Sequence, residues 1–177
     1  DFGKIVRGLF GLRRFGIKLD LDNIRRLLDL AGRPQDGMAF IHVAGTNGKG
    51  SVAAMAAAMF EAAGFRTGLF TSPHLVSFRE RIRFGGQDIS EAETVALYDR
   101  FKLWFERVGA APGGRPPTFF EAVTAMALRH FADCGAQVVV LETGMGGRFD
   151  ATNVVTPIVS IITNVDWDHM QYLGDTL

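Results

Sequence analysis

The sequence predicts an α/β protein whose sheet is doubly wound and mostly parallel. A short apolar run covers 39–44, and two β-branched apolar runs over 137–142 and 158–163 suit central strands of a parallel sheet. Helical patterns alternate with these strands. Since no internal repeat and no domain-length linker interrupts the chain, its 177 residues are predicted to form one domain.

Composition excludes several classes of protein. With 47% hydrophobic and 21% charged residues, the chain has the make-up of a globular protein with a sizeable core. Nineteen basic residues balance nineteen acidic ones, so no electrostatic attraction to nucleic acid or to an anionic membrane is implied. Cys134 is the single cysteine, which excludes a disulfide framework and a thiolate zinc cluster. We expect it to be a core residue.

No segment has the features of a targeting sequence. The start of the chain, over 1–7, lacks a continuous apolar stretch, and the longest apolar run, over 52–60, is too short to cross a bilayer. The cytoplasm is therefore the expected location. The chain begins without Met and stops at Leu177 without a closing turn signal, so we expect it to be a fragment.

The first half of the chain predicts two helices around the first strand. The first helix is expected to begin near Asp20 or Asp22, either of which could cap it, and to end at Gly32. The second is expected over 49–63, stopped by Gly64. The apolar face of the first helix consists of Leu21, Ile24, Leu27 and Leu28.

The next segments predict a strand, a hairpin and two long helices. A buried strand is expected over 67–71, and the alternation of charged and apolar residues over 79–84, before two glycines, predicts a small hairpin. Helices are predicted over 90–108 and 118–135, because each range begins with a Ser/Thr-x-x-Glu capping box.

The turn Gly45-Thr-Asn-Gly-Lys-Gly-Ser51 has the features of a P-loop-like phosphate site. Its glycines let successive N–H groups approach an anion, Lys49 adds a positive charge, and the following helix adds its dipole. The spacing departs from the common P-loop because Gly50 follows the lysine. A turn used only for packing is the alternative, although packing needs no lysine. The predicted triphosphate-binding residues are Gly45, Thr46, Asn47, Gly48, Lys49, Gly50 and Ser51.

Polar side chains follow three predicted strands at the sheet edge where open α/β proteins bind ligands. Thr71-Ser-Pro-His-Leu75 follows the second strand, Glu142 ends an apolar strand, and Asp166-Trp-Asp-His169 follows the last one. A carboxylate at such a tip, near a phosphate loop, is where Mg²⁺ would be held. A plain turn, a solvated strand end and a structural histidine are the respective alternatives.

Two further segments carry polar or aromatic side chains. The loop Arg148-Phe-Asp-Ala-Thr-Asn153 is either part of a site or a polar loop cap. Thr118-Phe-Phe-Glu121 begins a helix, and its phenylalanines are either core residues or a platform for a stacked ring. Gly144-x-Gly146 lacks the third spaced glycine and the following helix of a dinucleotide fingerprint, so dinucleotide binding is set aside.

In this order, the motifs resemble the folylpolyglutamate synthase/dihydrofolate synthase family, within the wider Mur ligase superfamily. The likeness runs nearly from end to end, and four ordered motifs are much more specific than any single one. The matching segments are Phe15-Gly-Ile-Lys-Leu19, Gly45–Ser51, Thr71–Leu75, Thr118–Glu121, Glu142–Asn153, Asp168-His169 and Leu173-Gly-Asp175.

The resemblance implies a P-loop ATPase domain similar to the central domain of Mur ligases, followed in the family by a smaller α/β domain. ATP would phosphorylate a carboxylate of dihydropteroate or folate, and the amine of L-glutamate would then attack the acyl phosphate. Because anions meet in this reaction, Lys49 would act as a catalytic residue together with Mg²⁺ and the loop amides. No nucleic acid or membrane partner is expected, and the protein is expected to be a monomer.

The resemblance also assigns residues by position. His169 is a candidate acceptor for the proton of the glutamate ammonium group, and Phe119 or Phe120 would stack on the pteroate ring. The implied Mg²⁺ ligands are Ser72, Glu142 and His169. The implied pteroate-pocket residues are Lys18, Leu19, Asp20, Thr118, Phe119, Phe120, Glu121, Phe149, Asp150 and Ala151.

The chain departs from the family pattern in two respects, and two rival interpretations are left open. The family carries a carbamate-modified lysine shortly after the segment of His169, and its C-terminal domain completes the ATP and glutamate sites; this chain contains neither. We therefore expect the chain alone not to complete catalysis. The rivals are another Mur-type amide ligase and a nucleotide-binding module without ligase chemistry. The sequence also leaves open whether the substrate is dihydropteroate, a folate with a glutamate tail, or both.

Overall fold

The computed structural model describes residues 1–16 and 20–176. Helices and strands alternate along most of this length. The helices are α1 (Phe2–Gly11), α2 (Asp22–Leu30), α3 (Lys49–Ala62), α4 (Glu91–Ala110), α5 (Phe119–Asp133) and α6 (Met170–Leu173). The strands are β1 (Ala39–Ala44), β2 (Thr67–Phe70), β3 (Ile82–Phe84), β4 (Gln87–Asp88), β5 (Val138–Glu142) and β6 (Val159–Ile162). Short 3-10 helices cover Leu12–Phe15, Phe78–Arg81 and Ala151–Val154.

The strands form one sheet in the order β4-β3-β2-β5-β1-β6. β2, β5, β1 and β6 are parallel, and the β3–β4 hairpin adds to β2 in the antiparallel direction. The predicted mostly parallel sheet is therefore confirmed. β5 is central and entirely buried, as predicted. The prediction of a central position is wrong for β6, which pairs with β1 at the edge of the described sheet and exposes most of its side chains.

Helices cover both faces of the sheet, so the doubly wound arrangement is also confirmed. Alternate residues of β1 point to opposite faces. Ile41 and Val43 pack with Ala53 and Ala57 of α3, whereas Phe40 joins the larger core formed with α1, α2, α4 and α5. α5 lies deepest in that layer, and most of its residues are buried.

The helix α1 was not predicted. Asp1 caps it by accepting a hydrogen bond from Gly3 N, and its buried face carries Ile5 and Leu9. Three glycines within a short segment weaken the helical signal, because glycine disfavours helices in isolation. Packing against α4 and α5 stabilises this helix, and that contact cannot be read from local sequence.

The predicted helix after Asp20 is observed as α2, but Asp20 and Asp22 do not cap it. The cap position is Leu21, which makes no side-chain capping hydrogen bond, and Asp22 lies in the first turn. Asp20 instead forms an ion pair with Arg115, with an Oδ2 to Nη2 distance of 3.3 Å. A distant arginine thus takes the carboxylate that the local pattern assigned to the helix.

The two predicted capping boxes are confirmed, and the predicted hairpin is confirmed in part. Ser90 with Glu93, and Thr118 with Glu121, exchange hydrogen bonds in both directions at the starts of α4 and α5. The alternating segment begins as the 3-10 helix Phe78–Arg81 and becomes extended only in β3. Among the described residues, no helix combines the length and the apolar character needed to span a bilayer.

Replacing Gly68 should destabilise the fold. An added Cβ would lie 2.7 Å from Cδ1 of the fully buried Phe131 ring. Overpacking of this kind costs about 1–3 kcal/mol, so Gly68→Ala should lower the free energy of unfolding by that amount in urea denaturation. The control is Gly11→Ala, at a helical position where the new Cβ meets no atom within 4 Å. That variant should be as stable as the parent or slightly more stable. Equal stability of both variants would contradict the packing at Gly68.

Candidate active site

The carboxyl ends of the parallel strands meet at one edge of the sheet. Val43 of β1 pairs with Glu142 of β5, and Phe70 of β2 pairs with Leu141 beside it. The loop after β1, Ser72 after β2 and the segment after β5 therefore begin at neighbouring points. Open α/β sheets bind their ligands at this edge.

Gly45, the first residue of the lysine loop (residues 45–51), packs against the chain that follows β6. Its φ of +129° lies in a region that other residues rarely adopt. A Cβ here would overlap the hydroxyl of Thr163 and lie 2.9 Å from the carbonyl oxygen of Asn164. The loop follows this path because its first residue has no side chain.

Thr46 and Asn47 attach the lysine loop to the segment after β6. Asn164 accepts hydrogen bonds from both amides, with its carbonyl oxygen 2.9 Å from Thr46 N and its Oδ1 2.8 Å from Asn47 N. The Thr46 hydroxyl accepts from Asp166 N at 3.0 Å and donates to Asp166 O at 3.1 Å. These two amides, which were predicted to contact a triphosphate, are thus engaged within the protein.

The N–H groups of residues 48–51 are better placed to bind an anion. The bond from Val52 N to Gly48 O, at 3.0 Å, joins the first turn of α3. The preceding N–H groups have no acceptor within the helix. Gly48 adopts a left-handed conformation, with φ +79°, at the cap position. A helix N-terminus of this kind offers hydrogen-bond donors and a favourable dipole to a phosphate.

Lys49 lies across the lysine loop, half-buried, and not in the core. Its Nζ donates to the carbonyl oxygens of Gly45 at 2.8 Å and Thr46 at 2.9 Å. Lys49 lines a cavity of about 360 Å³, whose other walls include Asn164 and Trp167 after β6. The ammonium group is therefore held at the loop and within reach of that cavity.

Glu142 is buried beside the lysine loop, with only 4% of its surface exposed. Its Oε2 accepts a hydrogen bond from Ser72 N at 2.8 Å, and a Cβ on Gly50 would lie 3.4 Å from its Oε1. Burial raises the pKa of the carboxyl, although the Ser72 N–H, Lys49 and Arg81 act in the opposite direction. The structure thus brings together Glu142, Ser72 and the lysine loop, which the sequence places far apart.

His169 reaches the site from the chain after β6. Its backbone is left-handed, with φ +47°, and its Nε2 lies 3.6 Å from Asp168 Oδ1. The side chain is 46% exposed and lines the 360 Å³ cavity. It also lines a second, larger cavity, together with Ser72. His169 therefore lies where the two cavities meet.

The larger cavity has a volume of about 600 Å³ and shares Gly144 and Met145, as well as His169, with the smaller one. Residues predicted to bind the carboxylate substrate form much of its wall. Two of the predicted residues, Lys18 and Leu19, lie outside the described residues. The predicted residues that line the cavity are Asp20, Thr118, Phe119, Phe120, Glu121, Phe149, Asp150 and Ala151.

Two carboxylates in this wall are engaged with the protein. Glu121 pairs with Arg115 through both oxygens, at 2.7 and 2.8 Å, and accepts from Thr118 N at 2.7 Å. Asp150 accepts from Gly144 N and Met145 N, each at 2.9 Å. The Asp150 pKa is raised by burial, which these N–H groups oppose. Glu121 and Asp150 therefore shape the cavity by holding the loops around it.

The aromatic residues differ in their accessibility. Phe119 is 8% exposed and stacks on Phe10, with ring centroids 5.0 Å apart. Phe120 packs against Phe70 and lies so close to Gly144 that a Cβ there would be 2.7 Å from the ring. Phe149, at 47% exposed, offers the more accessible ring. A planar ligand in this cavity would meet Phe149 with less rearrangement than Phe119.

Sequence reasoning missed two arginines in the larger cavity. The guanidinium carbons of Arg13 and Arg81 lie 5.1 and 5.2 Å from the centroid of Phe119. Arg81 is buried, donates to His74 Nδ1 at 2.7 Å, and has its pKa lowered to about 10 by burial and by Arg13. The alternation of charged and apolar residues over 79–84 predicted a small hairpin and gave Arg81 no role in a site. Neither arginine could be identified from its local sequence, because Arg81 reaches His74 and both arginines reach Phe119 only through the fold.

Comparison with protein families decides the assignment. The sequence pattern of the Mur ligase middle domain matches residues 43–176. The chain belongs to this family. The lysine loop, Glu142, strands β2 to β6 and the end of β1 lie inside the matched range.

Relatives narrow the assignment within the family. The dihydrofolate synthase/folylpolyglutamate synthase of Bacillus subtilis is 42% identical over 170 residues, which cover 96% of this chain and 39% of that protein. The folylpolyglutamate synthase (FPGS) of Mycobacterium tuberculosis complexed with ADP is 42% identical, with a TM-score of 0.88 over 99% of this chain and 40% of that one. An FPGS–AMPPCP–folate complex is 38% identical, with a TM-score of 0.93 over 99% of this chain and 43% of that one.

These relatives confirm the resemblance inferred from the motifs, as well as the fold class. The chain spans well under half the length of the relatives it matches. The activity of those longer proteins is therefore not assigned to this domain by similarity alone.

The contact between Gly45 and the segment after β6 should control phosphate binding. Gly45→Ala forces a strained φ and an overlap with Thr163 and Asn164, so the loop must move away from its attachment. We expect an ATP affinity at least about tenfold weaker, measured by isothermal titration in Mg²⁺; tenfold corresponds to about 1.4 kcal/mol.

Gly48→Ala is the matched comparison. It also introduces a side chain at positive φ, but its Cβ meets no atom within 4 Å. We expect a smaller loss of affinity than in Gly45→Ala. If the two variants lose the same affinity, the packing against Thr163 and Asn164 does not organise the loop.

Proposed function

We propose that this Mur ligase domain binds ATP with Mg²⁺ and a pteroate or folate carboxylate, for ATP-dependent ligation of L-glutamate through an acyl phosphate. The observation that carries the proposal is the junction of the two cavities. Gly144, Met145 and His169 line both of them. A triphosphate at the lysine loop and a carboxylate in the larger cavity would therefore meet across these shared walls.

The smaller cavity has the chemistry of a triphosphate site. The unpaired N–H groups at the start of α3 would donate to phosphate oxygens, and Lys49 would add a charge. The Lys49 ammonium group donates two hydrogen bonds, to the carbonyl oxygens of Gly45 and Thr46. Its third N–H is therefore left to donate to a phosphate oxygen. Positive charge fixed in advance lowers the electrostatic barrier when a carboxylate attacks a phosphoryl group.

The oxygen donors beside the loop fit Mg²⁺. Glu142 supplies a carboxylate and Ser72 a hydroxyl, and hard cations of this kind prefer oxygen ligands. Burial disfavours the charged form of Glu142, so a nearby cation would offset part of that cost. When bound, Mg²⁺ would offset charge on the phosphates. His169 is the third proposed ligand, and its nitrogen is the least typical donor of this set.

The larger cavity suits a ring system that carries a carboxylate. Aromatic and apolar side chains from 119–120, 149 and 172 line it, and a volume of about 600 Å³ is in the range of small-molecule sites. Arg13 and Arg81 offer two guanidinium groups to an anionic substrate. The carboxylates in the wall are already engaged, since Asp20 and Glu121 pair with Arg115 and Asp150 accepts from backbone N–H groups. The FPGS–AMPPCP–folate complex supports the pairing of these two ligands in a relative of the same fold.

The two rivals have less support. A non-catalytic nucleotide-binding module gives no reason for a second cavity that opens onto the phosphate site. Another Mur-type ligase would share the lysine loop, Glu142 and His169, but the similarity to folylpolyglutamate synthases over 99% of the chain favours a folate-type substrate. The choice between dihydropteroate and folates, the monomeric state and the one-domain organisation stay predictions.

Thermal unfolding of the chain with single ligands tests the proposal. We expect MgATP and dihydropteroate or folate each to raise the unfolding midpoint, by roughly 5–10 °C at about 100 times the dissociation constant. A UDP-sugar peptide, the substrate type of peptidoglycan ligases, should give no shift. Stabilisation by the UDP-sugar peptide but not by dihydropteroate or folate would favour the other Mur-type ligase. A response to MgATP alone would favour the nucleotide-binding module.

An assay of amide formation with the same purified chain tests catalysis. With MgATP, dihydropteroate or folate, and L-glutamate all present, we expect no appreciable ligation by the 177-residue chain. The resemblance to the family implies that a second domain supplies part of the ATP and glutamate sites. Appreciable amide formation, followed by mass spectrometry, would show that the chain is sufficient.

A further inference from the structure

Three side chains of metal-binding type converge away from the candidate active site. Glu93 of α4, His130 of α5 and Cys134 at the end of α5 each present one ligand atom, and these three atoms all lie within 4.8 Å of one another. His130 is buried, Cys134 is half-buried and Glu93 is exposed. The cluster of these three side chains therefore extends from the interior to the surface, and its Glu93 side is open to solvent.

Helix geometry accounts for the pairing of His130 with Cys134. Residues four apart lie on the same face of a helix, one turn from each other. The Cys134 sulfur is 3.9 Å from His130 Nδ1 and 3.7 Å from Nε2, so either ring nitrogen is near it. Cys134 is the C-cap residue, and its N–H donates to the His130 carbonyl oxygen at 2.9 Å. The backbone thus fixes the spacing of the two side chains.

The distances between these ligand atoms are close to those between two atoms that bind the same metal ion. With Zn–S of about 2.3 Å and Zn–N of about 2.0–2.1 Å, tetrahedral geometry places sulfur and nitrogen about 3.6 Å apart. The observed distance of 3.7 Å between Cys134 Sγ and His130 Nε2 is close to this separation. Glu93 must approach by at most about 1 Å from the 4.8 Å limit, and its carboxylate lies at the exposed side of the cluster.

Neighbouring groups already orient the carboxylate of Glu93. Its Oε2 accepts hydrogen bonds from Ser90 N at 2.8 Å and Ser90 Oγ at 2.5 Å, as part of the capping box of α4. The other oxygen is left for a metal. Carboxylate ligands in metal sites are commonly held by such second hydrogen bonds. The capping box therefore serves the helix and positions a ligand at the same time.

We propose that Glu93, His130 and Cys134 form a site for a zinc-class divalent ion, completed by water, which joins the first turn of α4 to the last turn of α5. Sulfur and imidazole donors select Zn²⁺ and exclude Mg²⁺. The site is distinct from the nucleotide cavities. α5 begins at the larger cavity and reaches Cys134 fifteen residues later, so the ion would sit roughly 20 Å from it at 1.5 Å per residue.

Cobalt spectroscopy tests the site on the whole chain. Co²⁺ should be added to the reduced protein in excess Mg²⁺, which occupies oxygen-only sites and does not compete for a thiolate. We expect one equivalent of Co²⁺ to give visible bands of tetrahedral cobalt and a near-ultraviolet thiolate charge-transfer band, and one equivalent of Zn²⁺ to abolish both. Zn²⁺ should also raise the thermal unfolding midpoint.

Two nearly isosteric variants test the individual ligands. Cys134→Ser should abolish the charge-transfer band and weaken Zn²⁺ binding by at least about tenfold, since even second-shell changes cost about 10- to 100-fold. Glu93→Gln preserves the capping box, because Gln also serves at that position, and should weaken binding while leaving the thiolate band in place. Circular dichroism checks that each variant is folded.

Several results would overturn the site. One is the absence of a thiolate band in the parent chain up to millimolar Co²⁺. Another is a Zn²⁺ affinity that is the same in Cys134→Ser as in the parent, which would place the ion elsewhere. Unchanged affinity in Glu93→Gln would remove α4 from the site and with it the proposed link between the helices.

Discussion

Burial of the Glu142 carboxylate is the constraint around which the candidate site is arranged. A carboxylate excluded from water is costly unless donors and cations surround it. Here the Ser72 N–H donates to it, and the positive charges of Lys49 and Arg81 favour its ionised form. Because Ser72, Glu142 and Lys49 belong to segments that follow or end three different strands, the sheet order must place β1, β5 and β2 side by side, as it does.

Much of this arrangement could be predicted because its signals are local. The lysine loop, the carboxylate that ends an apolar strand and the two capping boxes each depend on residues close in sequence. Parallel strands then bring the tips of β1 and β5 together without further information. The position of β6 was mispredicted because its β-branched residues resemble those of β5, and only pairing distinguishes an edge strand from a central one.

The remainder depends on contacts between distant segments. Asp20 looked like a helix cap, but Arg115 binds it across a separation of 95 residues. Thr46 and Asn47 looked like phosphate ligands, but Asn164 accepts from both of their amides. Arg81 lies in a segment predicted only to form a hairpin, yet it is buried in the cavity wall. In each case a second segment decides the role of a residue whose own neighbourhood gives no hint of it.

The measurement that tests the account most directly is the Mg²⁺ dependence of ATP binding in Glu142→Gln, by isothermal titration with and without excess EDTA. Gln keeps the size of the side chain and can still accept from Ser72 N, but it removes the charge. The account predicts that the parent chain binds ATP more tightly in Mg²⁺ than in EDTA and that the variant loses most of this difference. A variant that keeps the full difference would show that the cation is held elsewhere, and the central role given to Glu142 would be wrong.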